Sequence, residues 1–99
     1  MNPHTLLNTL KQRSRFIQGQ RAVLDTDAAD AYGVSIGHLR RAVKRNIARF
    51  PSDLLIQISK DEYAFTETGL LMLSVVLKTP QAVQANIEII RELLGFPNN

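Results

Sequence analysis

Cysteine is absent from this chain of 99 residues. That removes disulfides, thiol catalysis and thiolate metal sites, and it fits a reducing compartment. Long apolar runs are missing too. The longest, residues 69–77 with Ser74 inside it, is about half the length that a membrane span needs. The start, MNPHTLLNTLKQR, has no basic stretch ahead of a long apolar one and does not read as a secretory signal. Histidine is scarce: His4 and His38 stand in different elements, with no nucleophile elbow, phosphate loop or zinc spacing near either. The expectation is a soluble cytoplasmic protein that is not an enzyme and carries no metal or cofactor.

The most informative absence is local. Residues 35–49, SIGHLRRAVKRNIAR, contain no acid, while Arg40, Arg41, Lys44, Arg45 and Arg49 crowd into them. A merely solvated helix face mixes signs to gain i,i+4 pairs. Residues 1–50 carry nine Lys and Arg against three Asp, +6, whereas residues 51–99 carry three against six Asp and Glu, −3. The net charge of +3 therefore hides an asymmetry between halves, of the sort expected when one face meets nucleic acid. Unpaired like charge costs stability, and a polyanion is its natural compensation.

Residues 25–49, DTDAADAYGVSIGHLRRAVKRNIAR, also have helix-turn-helix spacing. The interhelical packing sites fall on Ala28, Tyr32, Val34, Leu39 and Ala42, all apolar or aromatic, and Ala29 is small where the helices approach. Gly33 stands at the turn, where the chain needs a positive φ. Ser35 offers a hydroxyl to cap the second helix. Asp25 or Thr26 is expected to cap the first, with Asp27 against its positive end, and this outweighs a divalent-metal reading of Asp25, Asp27 and Asp30. The second helix is predicted over residues 36–49, ended by Phe50 and Pro51. At helical spacing Ile36, Leu39, Val43, Ile47 and Phe50 form one apolar stripe. His38, Arg41, Arg45 and Arg49 lie opposite it, Lys44 lies at its flank, and Arg40 is near the edge, where its stem packs while its head reaches solvent.

The rest of the chain predicts a small α+β domain over residues 15–95, with an N-terminal extension, residues 1–14, and a tail, residues 96–99. Residues 4–11 fit a short amphipathic helix through Leu6, Leu7 and Leu10. Residues 15–18 and 21–24 read as a hairpin about Gly19, and residues 54–58 and 63–65 as two further short strands. Two apolar helices should close the domain. Thr66 caps the first, which runs to Leu77 and should be buried almost all round; Thr79 and Pro80 open the second, which Gly95 and Pro97 end. In that last helix Val83, Ile87, Ile90 and Leu94 form one stripe and Ala82, Ala85, Ile89 and Leu93 an adjacent one, a wider arc than one packing contact requires. Val83, Ile87, Ile90 and Leu94 are the candidate homodimer interface.

Four stretches in succession, IQGQRAVLDTDAADAYGV, LRRAVKRNIARFPSDLLIQIS, YAFTETGLLMLSVVL and AVQANIEIIREL, resemble the KilA-N-like DNA-binding domains of phage antirepressors. The closest likeness is to the branch named after the N-terminal domain of a phage sixth open reading frame. The stretches cover nearly everything in residues 17–94. The resemblance implies a phage or prophage regulator, or a bacterial gene derived from one, with the helix-turn-helix on residues 25–49 and its basic helix on residues 35–49. One departure stands out: a longer polar segment, often bearing Trp and Arg in the family, is reduced here to Lys60, Asp61 and Glu62. Family members often continue into a second, variable C-terminal domain, so a chain ending at Asn99 is expected to act as a bare module.

The expected mechanism is sequence-selective binding of double-stranded DNA, with the helix that starts at Ser35 in the major groove and its first turn nearest the base edges. Ser35, Gly37, His38 and Arg41 are the candidate base-edge residues, Arg41 being able to pair bidentately with guanine. Arg40, Lys44, Arg45 and Arg49 are the candidate phosphate contacts, which position without reading sequence. Arg13, Arg15 and Arg21 are weaker candidates for extending the surface. A homodimer on two half-sites is expected, associated with the bacterial nucleoid when bound. The rival expectation is a protein-interaction module, antirepressor-like or antitoxin-like, that binds a repressor or toxin and touches DNA little. The short 60–62 connection, the acidic second half and the wide apolar arc support it.

Overall fold

Four of the five α-helix starts among the described residues are set by hydroxyl side chains. The computed structural model describes residues 5–96. Its elements are α1 (Leu6–Gln12), β1 (Arg15–Ile17), β2 (Gln20–Leu24), α2 (Asp25–Tyr32), α3 (Ile36–Arg45), a 3-10 turn (Ile47–Arg49), β3 (Leu55–Gln57), β4 (Tyr63–Phe65), α4 (Glu67–Leu77) and α5 (Pro80–Leu93). Thr5, Ser35, Thr66 and Thr79 each accept a hydrogen bond from the backbone N–H three residues on, at 3.1, 3.1, 3.2 and 3.1 Å. Each such cap is worth about 1 kcal/mol because it satisfies a donor that the helix leaves open. The α+β class predicted above is the class observed. His4 and Pro97, which the expected helix ends included, lie outside the described residues.

Strands β1 and β2 form a hairpin whose two turn residues, Gln18 and Gly19, both have positive φ, 51° and 83°. That is the twist that a two-residue hairpin turn requires. The sheet is antiparallel in the order β1-β2-β4-β3. Val23 faces Phe65 and Leu24 faces Ala64 in the central pair, while Leu55 faces Phe65 in the outer one. The expected hairpin and the expected 54–58/63–65 pair are thus joined through β2 and β4, a long-range pairing that strand periodicity does not encode.

The helices close over the sheet around Tyr32, Leu39, Phe65, Leu73 and Ile89, all with no measurable exposure. Helix α1 belongs to this core, with Leu7 and Leu10 buried in it. Its N-terminus is held by a second device: the buried Glu88 of α5 accepts from the Leu7 N–H at 2.7 Å and from Gln84 Nε2 at 2.9 Å. A carboxylate against a helix N-terminus meets both the open donor and the positive dipole end. Helix α1 is therefore tied to α5. At the start of α4, Gly69 packs so closely on the β3 approach that a Cβ would lie 1.9 Å from the Leu54 carbonyl oxygen. Only a glycine permits this approach. There Thr66 N–H donates to Leu54 O at 3.1 Å and Thr66 Oγ1 donates to Asp53 O at 2.8 Å.

Two burial expectations are corrected. Helix α4 is not covered all round, since Val75 is exposed on its outer side. In α5 the buried stripe is Ala82, Ala85, Glu88 and Ile89, and Leu93 is exposed instead of joining it. At the end of the helix Ile90, Leu93 and Leu94 are all exposed.

Helices α1, α4 and α5 also meet in a charge cluster. Lys11 pairs with Glu92, and Glu92 hydrogen-bonds Glu67. That hydrogen bond, and then burial, push the Glu67 carboxyl up to about 7, while the same bond and Lys11 hold Glu92 below the usual range. A raised carboxyl contributes stability below its ordinary pKa and loses it as the pH rises through the folded value. Thermal stability is therefore expected to fall as the pH rises from about 4.5 to about 7 and to level off above that, and Glu67→Gln to flatten that fall. Melting curves of both proteins check this; a wild type whose Tm is constant over that window contradicts it.

Candidate nucleic-acid interface

The helix-turn-helix unit packs as its sequence dictates. Ala28, Ala29, Tyr32, Leu39 and Ala42 are buried between α2 and α3, and Val34 packs against them from the turn. Gly33 ends α2 at φ 71°, and a Cβ there would also press on the Gln81 side chain at 2.8 Å. The end of α2 is fixed by Tyr32, whose hydroxyl donates to Leu70 O at 2.9 Å and whose carbonyl accepts from Thr79 Oγ1 at 2.7 Å. Burial first, and then the negative charge of Glu88, drive its phenol pKa upward, so it remains a donor.

Two features of the unit differ from expectation. Neither Asp25 nor Thr26 caps α2: strand β2 runs into the helix without a loop, and the cap residue is Leu24, which makes no side-chain bond. Asp25, the first helical residue, turns inward and is only 3% exposed. Its Oδ2 accepts from Arg40 Nε at 3.0 Å and from the Tyr63 N–H at 3.0 Å, and its Oδ1 accepts from Arg40 Nη2 at 3.4 Å. One carboxylate thus joins α2, α3 and β4. The second difference is the end of α3, which stops at Arg45 instead of reaching residue 49. Asn46 leaves helical geometry at φ −118°, its Nδ2 donates back to Ala42 O at 2.8 Å, and the 3-10 turn follows. Ile47 consequently leaves the apolar stripe and is exposed, while Phe50 still reaches the core and meets Phe65 edge-on with ring centroids 5.9 Å apart.

The candidate base-edge residues lie together on the first two turns of α3. Ser35 and His38 are exposed, the Ser35 oxygen being engaged as the cap. Arg41 lies over Gly37, so that a Cβ on Gly37 would come within 3.2 Å of Arg41 Nη1. The glycine gives the guanidinium room to lie along the helix.

The four candidate phosphate residues fall into three groups. Arg40 is committed to Asp25, and the hydrogen bond from that carboxylate raises its pKa further. Lys44 pairs with Asp61 at 2.8 Å across the short 60–62 connection, both side chains being about half exposed. Their mutual hydrogen bond raises Lys44 and lowers Asp61. An exposed pair of this kind is screened by solvent and worth little, so another anion can displace it. Arg45 and Arg49 are exposed, and among the described residues no carboxylate bonds them or Arg41. Of the outlying arginines, Arg13 pairs with Asp30 at 3.1 Å and with Asp27 at 3.4 Å, Arg21 stacks on Phe16 at 4.5 Å, and Arg15 stays exposed. Asp25, Asp27 and Asp30 are therefore each occupied by an arginine.

Asp25 and Asp61 are the residues that sequence reasoning did not assign to this surface. Asp25 lies 15 positions from Arg40 and 38 from Tyr63, and only the folded turn brings them together. Removing Asp25 leaves the buried Tyr63 N–H unsatisfied and the partly exposed Arg40 without its partner, so Asp25→Ala is expected to cost about 1–3 kcal/mol. In a double-mutant cycle with Arg40→Ala, measured by urea denaturation, the two changes should be less than additive by more than about 1 kcal/mol. Additive losses would remove the pair from the stability of the unit.

Among the described residues no helix is long and apolar enough to cross a membrane, and no group of three His, Cys, Asp or Glu is placed to hold a metal ion. No curated protein and no solved structure matches the chain. A family model described as the ORF6N domain matches residues 12–64, from the end of α1 through the helix-turn-helix to β4, which is more than half of the chain. By that match the chain belongs to the ORF6N domain family.

Proposed function

We propose that the protein is a sequence-selective binder of double-stranded DNA, a phage- or prophage-type regulator or antirepressor related to the KilA-N-like domains, acting in a bacterial cytoplasm and not as an enzyme. The observation that carries this is the outer face of α3. Arg41, Arg45 and Arg49 stand exposed and unpaired on it or just beyond it, beside a helix N-terminus whose first turn holds Ser35, Gly37 and His38. Arg40 is turned inward, so the cations left outside are those that a ligand can use. Helix α3 enters the major groove with Ser35, Gly37, His38 and Arg41 toward base edges. Arg45, Arg49 and, by exchange from Asp61, Lys44 take phosphates.

A homodimer supplies the second half-site. On α5, Val83, Ile87, Ile90 and Leu94 are 49%, 46%, 40% and 66% exposed. Their 4-3-4 spacing is that of a helix-packing seam. The positions flanking the seam, Gln84, Asn86, Arg91 and Leu93, carry a single charge, so two copies meet without a run of like charges. The same stripe is the one feature that favours the rival reading, a module that docks on a repressor or toxin.

Fluorescence-anisotropy titrations at two salt concentrations, on random and genomic duplexes, separate the readings. Arg41→Ala should lose roughly 1–3 kcal/mol of discrimination at one base position, whereas Arg45→Ala should weaken all sequences alike and reduce the salt slope by about 1. Equal losses on every sequence for both variants would sink the assignment of roles, and no binding at low salt would sink DNA binding itself. For the dimer, sedimentation of the wild type should give twice the protomer mass and Ile87→Glu should give a folded monomer. A monomeric wild type at micromolar concentration would hand the stripe to a different protein partner.

A further inference from the structure

A cleft opens where the end of α3 passes the end of α4. Arg45, Arg49 and Lys78 line it together with Asn46, over an apolar wall of Val75 and Val76, and it measures about 410 Å³. All three cations are exposed, and among the described residues none is bonded to a carboxylate. Arg41 and Arg45 lie one turn apart on α3 and Arg49 follows in the 3-10 turn, so the cationic face of α3 leads into the cleft.

Lys78 is the unexpected member. It ends α4 in the left-handed region, at φ 61° and ψ 17°. The same situation is met by glycine at Gly33 after α2, φ 71°, and at Gly95 after α5, φ 80°. Glycine holds that conformation without steric cost, and lysine does not. A side chain kept where its own backbone would be easier without it is a sign that the side chain has a task. Lys78 is also isolated in sequence from the basic run, 29 positions after Arg49.

We infer that Arg45, Arg49 and Lys78 form a receptor for one phosphodiester group of duplex DNA, on the strand that borders the groove entered by α3. The inference rests on the DNA-binding reading and extends its footprint to α4. Two guanidiniums and an ammonium match the spread charge of the phosphodiester oxygens, and Val75 and Val76 offer an apolar wall to the adjoining sugar. A free phosphate has the same charge chemistry. The exposed rim and its continuity with Arg41 favour a phosphate held in a chain.

Lys78→Gly separates the role of the charge from the fold, because it removes the ammonium and relieves the left-handed backbone at once. Binding to a labelled random-sequence duplex of about two helical turns is titrated with salt for the wild type, Lys78→Gly and Lys78→Arg. The expected result is a salt slope lower by about 0.9 per bound protomer in Lys78→Gly, an undiminished Tm in that variant, and a wild-type slope in Lys78→Arg. If the wild type binds and Lys78→Gly keeps its slope, the receptor is overturned while DNA binding stands. If wild type and Lys78→Gly have the same slope on the duplex while inorganic phosphate raises the Tm of the wild type and not that of Lys78→Gly, the site takes a free phosphate and the assignment to the DNA backbone is overturned. If the wild type binds no duplex at low salt, the DNA reading falls and this inference with it.

Discussion

One buried carboxylate organises the basic half of this molecule. Asp25 sits where β2 becomes α2, and it holds Arg40 from α3 and the Tyr63 N–H from β4 at hydrogen-bond distance. Taking the Asp25 carboxylate out of water costs several kcal/mol, and attraction to a partly exposed guanidinium recovers this only with good geometry and further hydrogen bonds. Three bonds from two elements supply those conditions. The return is positional: the angle at which α3 leaves the turn is tied to the sheet, because a shift of either helix would strand a buried charge.

The same bond divides the basic residues of α3 by role. Arg40 is spent on the fold and Lys44 is balanced by Asp61, which leaves Arg41, Arg45 and Arg49 uncompensated on the outside. The acids of α2 neutralise Arg13 in a similar way. A chain with a net charge of only +3 thereby keeps three uncompensated cations together on α3 and the 3-10 turn that follows it. The largest group of exposed apolar side chains lies along the outer side of α5 and at its end, away from the buried face of that helix, with Phe16, Ile47, Ile58 and Val75 exposed elsewhere.

Much of this was legible locally. Ser35, Thr66 and Thr79 cap the helices they were expected to cap, Gly33 takes the positive φ, and Ala28, Tyr32, Leu39 and Ala42 are buried. These are short-range consequences of side-chain chemistry at fixed offsets. Helix α3 ends before Pro51, the stop that the sequence offers, because Asn46 competes for the backbone carbonyl of Ala42 one turn earlier. Asp25 suits a helix cap as well as a buried partner, and which role it takes depends on Arg40 and Tyr63.

The sequence by itself determined the elements, their periodic faces and the acid-free basic helix, since each follows from contacts within one turn or from charge counts. Tertiary structure alone decided which cations remain available, that β2 pairs with β4, and that Lys78 joins Arg45 and Arg49 around one cleft. Those outcomes depend on contacts between residues 15 to more than 40 positions apart. Their loop-closure cost is met only when the whole core forms, so no local pattern announces them.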